Sequence, residues 1–94
     1  MSVSKNRYLF IFSLKAKDDY QYFEKNSPKS LIRIAKLIEA IAENPYEGIG
    51  KPKQLGHDYS GALSRRIDTR HRIVYAVENE KIYIISLRGH YTDK

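Results

Sequence analysis

The stretch SRRIDTRHRIVYAV, residues 64–77, crowds four arginines and a histidine into the nine positions from Ser64 to Arg72 before turning apolar. A guanidinium presents a planar fork of donors that stays charged at any physiological pH, and this suits a phosphate. The plain alternative is a solvated sheet edge, where basic side chains discourage strand-to-strand aggregation. Other chemistries find little support. Hard divalent metals need clustered carboxylates and zinc needs grouped His or Cys, whereas the three histidines, His57, His71 and His90, stand far apart. No cysteine is present, no nucleophile elbow of the G-x-S-x-G type occurs, and no Walker or Rossmann glycine fingerprint is found. Neither a metal nor another cofactor is expected.

Placing these residues requires the elements that carry them. The chain has 94 residues and a formal charge of +6, which is read as one domain over 1–94 with an anionic partner, nucleic acid first. The charge is spread along the chain rather than gathered in a tail. The absence of cysteine fits a reducing cytoplasm, and the N-terminal apolar run is too short for a signal peptide or a membrane span. YLFIF, residues 8–12, reads as a central or near-central strand. Ser13 can cap a helix over roughly 14–25, with Leu14, Tyr20 and Phe23 facing inward. A second helix begins at Ser27–Pro28 and ends at Asn44–Pro45, with Leu31, Ile34, Ala35, Ile38, Ile41 and Ala42 in one stripe. Residues 45–61 read as a glycine-rich loop holding at most a short edge strand. The runs 62–67, 71–77 and 81–89 are strand-like, and their short links make them antiparallel neighbours. The expected fold is therefore α+β, an N-terminal strand and a two-helix hairpin packed on a twisted antiparallel sheet.

Strict alternation sorts the strand residues into two faces. Leu63, Ile67, Ile73, Tyr75, Val77, Tyr83, Ile85 and Leu87 form the face the helices should cover, with Arg65 the exception, expected at the rim or paired with Asp18 or Asp19. The other face collects Ser64, Arg66, Arg72, Arg88 and His90, together with Ile82 and Ile84. Such sorting favours an anion-binding face over a solvated edge. One metal-free reaction fits it. RNA carries its own nucleophile in the 2′-hydroxyl, so cutting needs a base for the 2′ proton, fixed positive charge for the phosphate and an acid for the 5′ oxygen. Arg66 and Arg72 can supply the charge, and a histidine such as His90, of ordinary pKa about 6.5, is the natural acid. No carboxylate lies on this face to act as the base. Lys51 and Lys53 are expected to touch RNA backbone or simply to face solvent, while Tyr46 and Tyr59 are undecided between stacking and packing.

The segments NPYEGIGKP, SGALSRRID, HRIVYAV and the near-terminal His90–Tyr91 resemble the Txe/YoeB branch of the RelE superfamily, in order from about Tyr8 to Tyr91. The resemblance implies a RelE-like fold and a toxin of a bacterial type II toxin–antitoxin pair. It implies a ribosome-dependent, metal-independent endoribonuclease that cuts mRNA in the A site, held in check by a YefM- or Phd-like antitoxin. Operator DNA would be met only through the antitoxin complex, and homodimerisation is compatible with this branch. Carried over, Arg66 and Arg72 contact the scissile phosphate, His90 takes the general-acid place and Tyr91 orients the RNA; Arg88 and Lys51, from their own basic character, are expected to bind RNA or ribosome. The family's general-base glutamate falls on Lys53 of KPKQL. A lysine must shed its proton to act as a base, which a reference pKa of about 10.4 makes costly unless neighbours depress it. Glu47, in the PYEG turn, is the alternative base. Two other readings follow, a catalytically weak ribosome blocker and a ParE-like toxin that is no nuclease.

Overall fold

The computed structural model describes residues 8–56 and 61–89. In chain order these form β1 (Leu9–Phe12), α1 (Leu14–Asn26), α2 (Pro28–Glu43), β2 (Lys53–Gln54), β3 (Ala62–Arg66), β4 (Arg72–Glu78) and β5 (Lys81–Ser86). The sheet order is β1-β5-β4-β3-β2. The strands β2 to β5 pair antiparallel, as their short connections require. β1 departs from expectation in two ways. It is an edge strand, with Leu9 60% exposed, and it pairs parallel to β5, so the sheet is mixed. The two helices intervene between β1 and the meander, which frees the chain to return alongside β1 in the same direction.

Ser13 caps α1, its hydroxyl accepting the Ala16 N–H at 3.0 Å and donating to the Ile85 carbonyl at 2.7 Å. The buried face of α1 is Ala16, Asp19 and Phe23, not Leu14 and Tyr20, which are exposed. On α2 the stripe holds at Ile34, Ile41 and Ala42, but Leu37 is buried and Ala35 is exposed. Both helices cover one sheet face, packing Phe23, Ile34, Leu37 and Ile41 against Leu63, Ile73, Tyr75, Ile82 and Ile84. A smaller cluster of Leu55, Ala62, Val74 and Ile85 occupies the opposite face.

The alternation argument fails at β5 for a local reason. Val74 pairs with Ser86 while its neighbour Tyr75 pairs with Ile84, so Ile85 is an extra residue. A bulge of this kind breaks the period of two. Ile82 and Ile84 therefore face the helices, whereas Tyr83 and Ile85 do not join the main buried core, and Leu87 regains the buried face beyond the bulge.

Candidate functional site

Arg66 and Arg72 are direct cross-strand partners on β3 and β4, and Lys53 on β2 lies opposite Ser64. Opposed residues of an antiparallel pair point to the same side, so Lys53, Ser64, Arg66 and Arg72 share the face away from the helices. Arg72 is only 9% exposed. Its Nε donates to Ser64 Oγ at 2.7 Å and its Nη2 to the Lys51 carbonyl at 3.3 Å, which fixes the guanidinium plane. Arg66 is exposed, and its backbone is held from both sides, its N–H by the Gly50 carbonyl at 2.7 Å and its own carbonyl by Arg33 Nη2 at 3.2 Å. Among the described residues, neither arginine has a carboxylate partner. Burial, and then the charge of Arg66, pulls the Arg72 pKa below its ordinary value. Two like charges set directly opposite repel one another, and a bound anion would relieve that repulsion.

The loop bearing Lys51 owes its place to Arg65, which is fully buried rather than at the rim, and which pairs with neither Asp18 nor Asp19. Its Nε donates to the Tyr75 hydroxyl at 3.0 Å, and its Nη atoms donate to the carbonyls of Asn44, Glu47 and Ile49. Tyr75 donates in turn to the Pro45 carbonyl at 2.6 Å. Burial raises the Tyr75 pKa above its ordinary 10.0, against the opposing effect of the Arg65 hydrogen bond. A guanidinium thus serves as a staple whose counterparts are carbonyl dipoles, a role that sequence pairing rules do not suggest. Gly50 completes the loop at φ +85°, where an added Cβ would lie 2.8 Å from Leu37 Cδ2 and 3.0 Å from Arg65 Cβ.

Glu47 is tied to Arg65 through its backbone carbonyl, and its side chain is exposed. Arg88 does not join the Arg66–Arg72 face. Its guanidinium lies 3.6 Å from the Tyr22 ring centroid, on the helix side, because Arg88 lies beyond the end of β5 at Ser86, where strand alternation no longer sets the direction of a side chain. Asp19, buried on α1, accepts the N–H groups of Leu87 at 2.9 Å and Arg88 at 3.1 Å, and pairs with Lys15 at 3.0 Å. The Arg72 N–H donates to the Gly89 carbonyl at 3.1 Å. His90 and Tyr91 lie outside the described residues, as do His57 and Tyr59. The structure thus gathers Arg66, Arg72 and Lys53 on one face with the Lys51 backbone, and sets Arg88 apart.

A helical hairpin on one side of a five-stranded sheet, with paired arginines on the other, defines a RelE-like toxin scaffold. Residues 12–91 match the family described as YoeB-like toxin of bacterial type II toxin–antitoxin system, and the chain belongs to that family. Toxin YoeB of Synechocystis sp. is 49% identical over 73 residues, which span 78% of this chain and 85% of that protein. Toxin YoeB of Escherichia coli K12 is 41% identical over 81 residues, or 86% and 96%. Among solved structures, the YoeB dimer from Staphylococcus aureus superimposes with a TM-score of 0.84 at 42% identity, covering 90% of this chain and 99% of that one. YafQ from Escherichia coli strain BL21(DE3), at 13% identity and a TM-score of 0.76, shares the fold.

Proposed function

We propose that this toxin cuts mRNA in the ribosomal A site by attack of the RNA's own 2′-hydroxyl. The observation that carries the reading is the pairing of Arg66 and Arg72 without a carboxylate partner among the described residues, beside a backbone bond from Arg72 to Gly89 that brings the chain to within one residue of His90. The arginines hold the scissile phosphate and offset the charge that grows on it as the 2′ oxygen bonds to phosphorus. Lys53 takes the 2′ proton onto its neutral amine. The bond from phosphorus to the 5′ oxygen breaks, and His90 protonates that oxygen. The products are a 2′,3′-cyclic phosphate and a free 5′-hydroxyl. Tyr91 orients the RNA, and Lys51 meets the RNA backbone. Arg88, stacked on Tyr22, is left out of this binding role. An antitoxin is the partner this reading implies, by analogy with the YoeB–YefM complex from Staphylococcus aureus, and the dimer of the same relative suggests self-association here.

Single-turnover cleavage on programmed ribosomes tests the reading. Cutting inside the A-site codon, abolished when the cleaved nucleotide lacks its 2′-hydroxyl, is the expected result. Tight ribosome binding with no cut would leave a blocker that lost its base at Lys53.

A further inference from the structure

Beyond Ser86 the chain leaves the sheet, and its next three N–H groups are taken by side chains rather than by a neighbouring strand. Asp19 accepts those of Leu87 and Arg88. The third, from Gly89, donates to Nδ1 of His71 at 3.0 Å. Residue 72 follows at once, its N–H on the Gly89 carbonyl at 3.1 Å. Gly89 is thereby gripped on both its polar groups by the consecutive residues His71 and Arg72, at φ +125°, a conformation that side-chain-bearing residues rarely adopt.

The imidazole is itself well seated. Phe23 meets it edge-on at 5.3 Å and 85°, and Tyr22 at 6.5 Å and 69°. The His71 N–H donates to Asp68 Oδ1 at 2.7 Å, and its carbonyl accepts from Ile67 and Asp68. An Nδ1 that accepts a hydrogen bond leaves the ring proton on Nε2.

We propose that His71 is a positioning residue for the terminal acid, which rests on the nuclease reading above. It fixes the backbone of Gly89, the residue that precedes the acid in sequence. The same Gly89 is bonded to the backbone of Arg72, whose guanidinium holds the phosphate. His71 therefore holds the residue before the acid in the frame of the anion site. Small displacements of a reacting group are costly, since about 1 Å can lose a hundredfold in rate.

Three variants test this. His71→Phe keeps a ring against Phe23 but has no acceptor. His71→Gln carries its amide at the Nε2 position, and His71→Asn places an amide oxygen near Nδ1. On programmed ribosomes the Phe and Gln variants should lose between about tenfold and a hundredfold in single-turnover rate, with the half-saturating ribosome concentration unchanged. The Asn variant should recover to within a few-fold of wild type. Amide exchange at Gly89, read by NMR on the free toxin in its complex-free form, should be slow in wild type and Asn and fast in Phe and Gln. Equal cleavage by Phe and wild type would overturn the proposal, as would an Asn variant no better than Phe. If wild type itself does not cut, the nuclease reading fails and the positioning role falls with it, while Gly89 exchange still decides whether the His71 clasp exists. Because Gln and Asn both keep a polar amide, their contrast decides the matter even if Phe fails to fold.

Discussion

Replacing Arg65 with methionine should unfasten the loop that carries Lys51. The side chain makes four hydrogen bonds, one to the Tyr75 hydroxyl and three to loop carbonyls. At about 1.5–3 kcal/mol each for a charged donor, the gross loss is roughly 6–12 kcal/mol. Removing a fully buried cation returns several kcal/mol of desolvation. The exposed loop can also lift and hydrate its carbonyls, and Tyr75 keeps its bond to Pro45. The net cost is then about 3–5 kcal/mol, the size found when a buried charged network loses a member. For a domain of this length that lowers the melting temperature by at least about 12 °C. Circular dichroism melts of wild type, Arg65→Met and Arg65→Lys provide the measurement. The lysine variant should recover little, because an ammonium group cannot span Tyr75 and three carbonyls at once. A methionine variant within about 1 kcal/mol of wild type would refute the reasoning, for the loop would then be held by its backbone alone.

Lys53→Ala should lower single-turnover cleavage by about 10²–10⁴-fold, the usual worth of a general base, with ribosome binding largely kept; an unchanged rate would remove Lys53 from the chemistry. Ser64→Ala takes the acceptor from Arg72 Nε and should slow cleavage about tenfold, from a hydrogen bond worth about 1.5 kcal/mol. Gly50→Ala combines a left-handed backbone with a clash on Leu37 and should cost at least about 2 kcal/mol by urea denaturation. The raised Tyr75 pKa gives an alkaline signature. Above pH 10 the unfolded phenol ionises while the folded one keeps its proton, so the native state binds more protons and stability falls as pH rises. Tyr75→Phe should flatten that limb of the stability profile.

Much of this molecule is legible in its residues because the signals are local. The caps and ends of both helices, the meander with its short turns, and the cationic parity of Ser64, Arg66 and Arg72 each depend on a few neighbouring positions. The departures arise from long-range pairing. A single extra residue at Ile85 inverted the faces assigned to Ile82, Tyr83 and Ile84, and nothing in the apolar run KIYIIS marks where a ladder slips; Arg88 reaches the helix side because the strand has already ended at Ser86. YLFIF is as apolar as a central strand, yet its parallel, edge position depends on where β5 comes to lie. Arg65 looked like a charge in need of a carboxylate, whereas its partners are carbonyls supplied by a loop 16–21 residues away in sequence and a tyrosine on the next strand. Residue type and spacing determined that this protein would carry arginines on one face of a small α+β scaffold. The tertiary structure alone decided which arginine staples, which stacks and which two face each other, because those roles turn on register and long-range backbone contacts that sequence spacing does not encode.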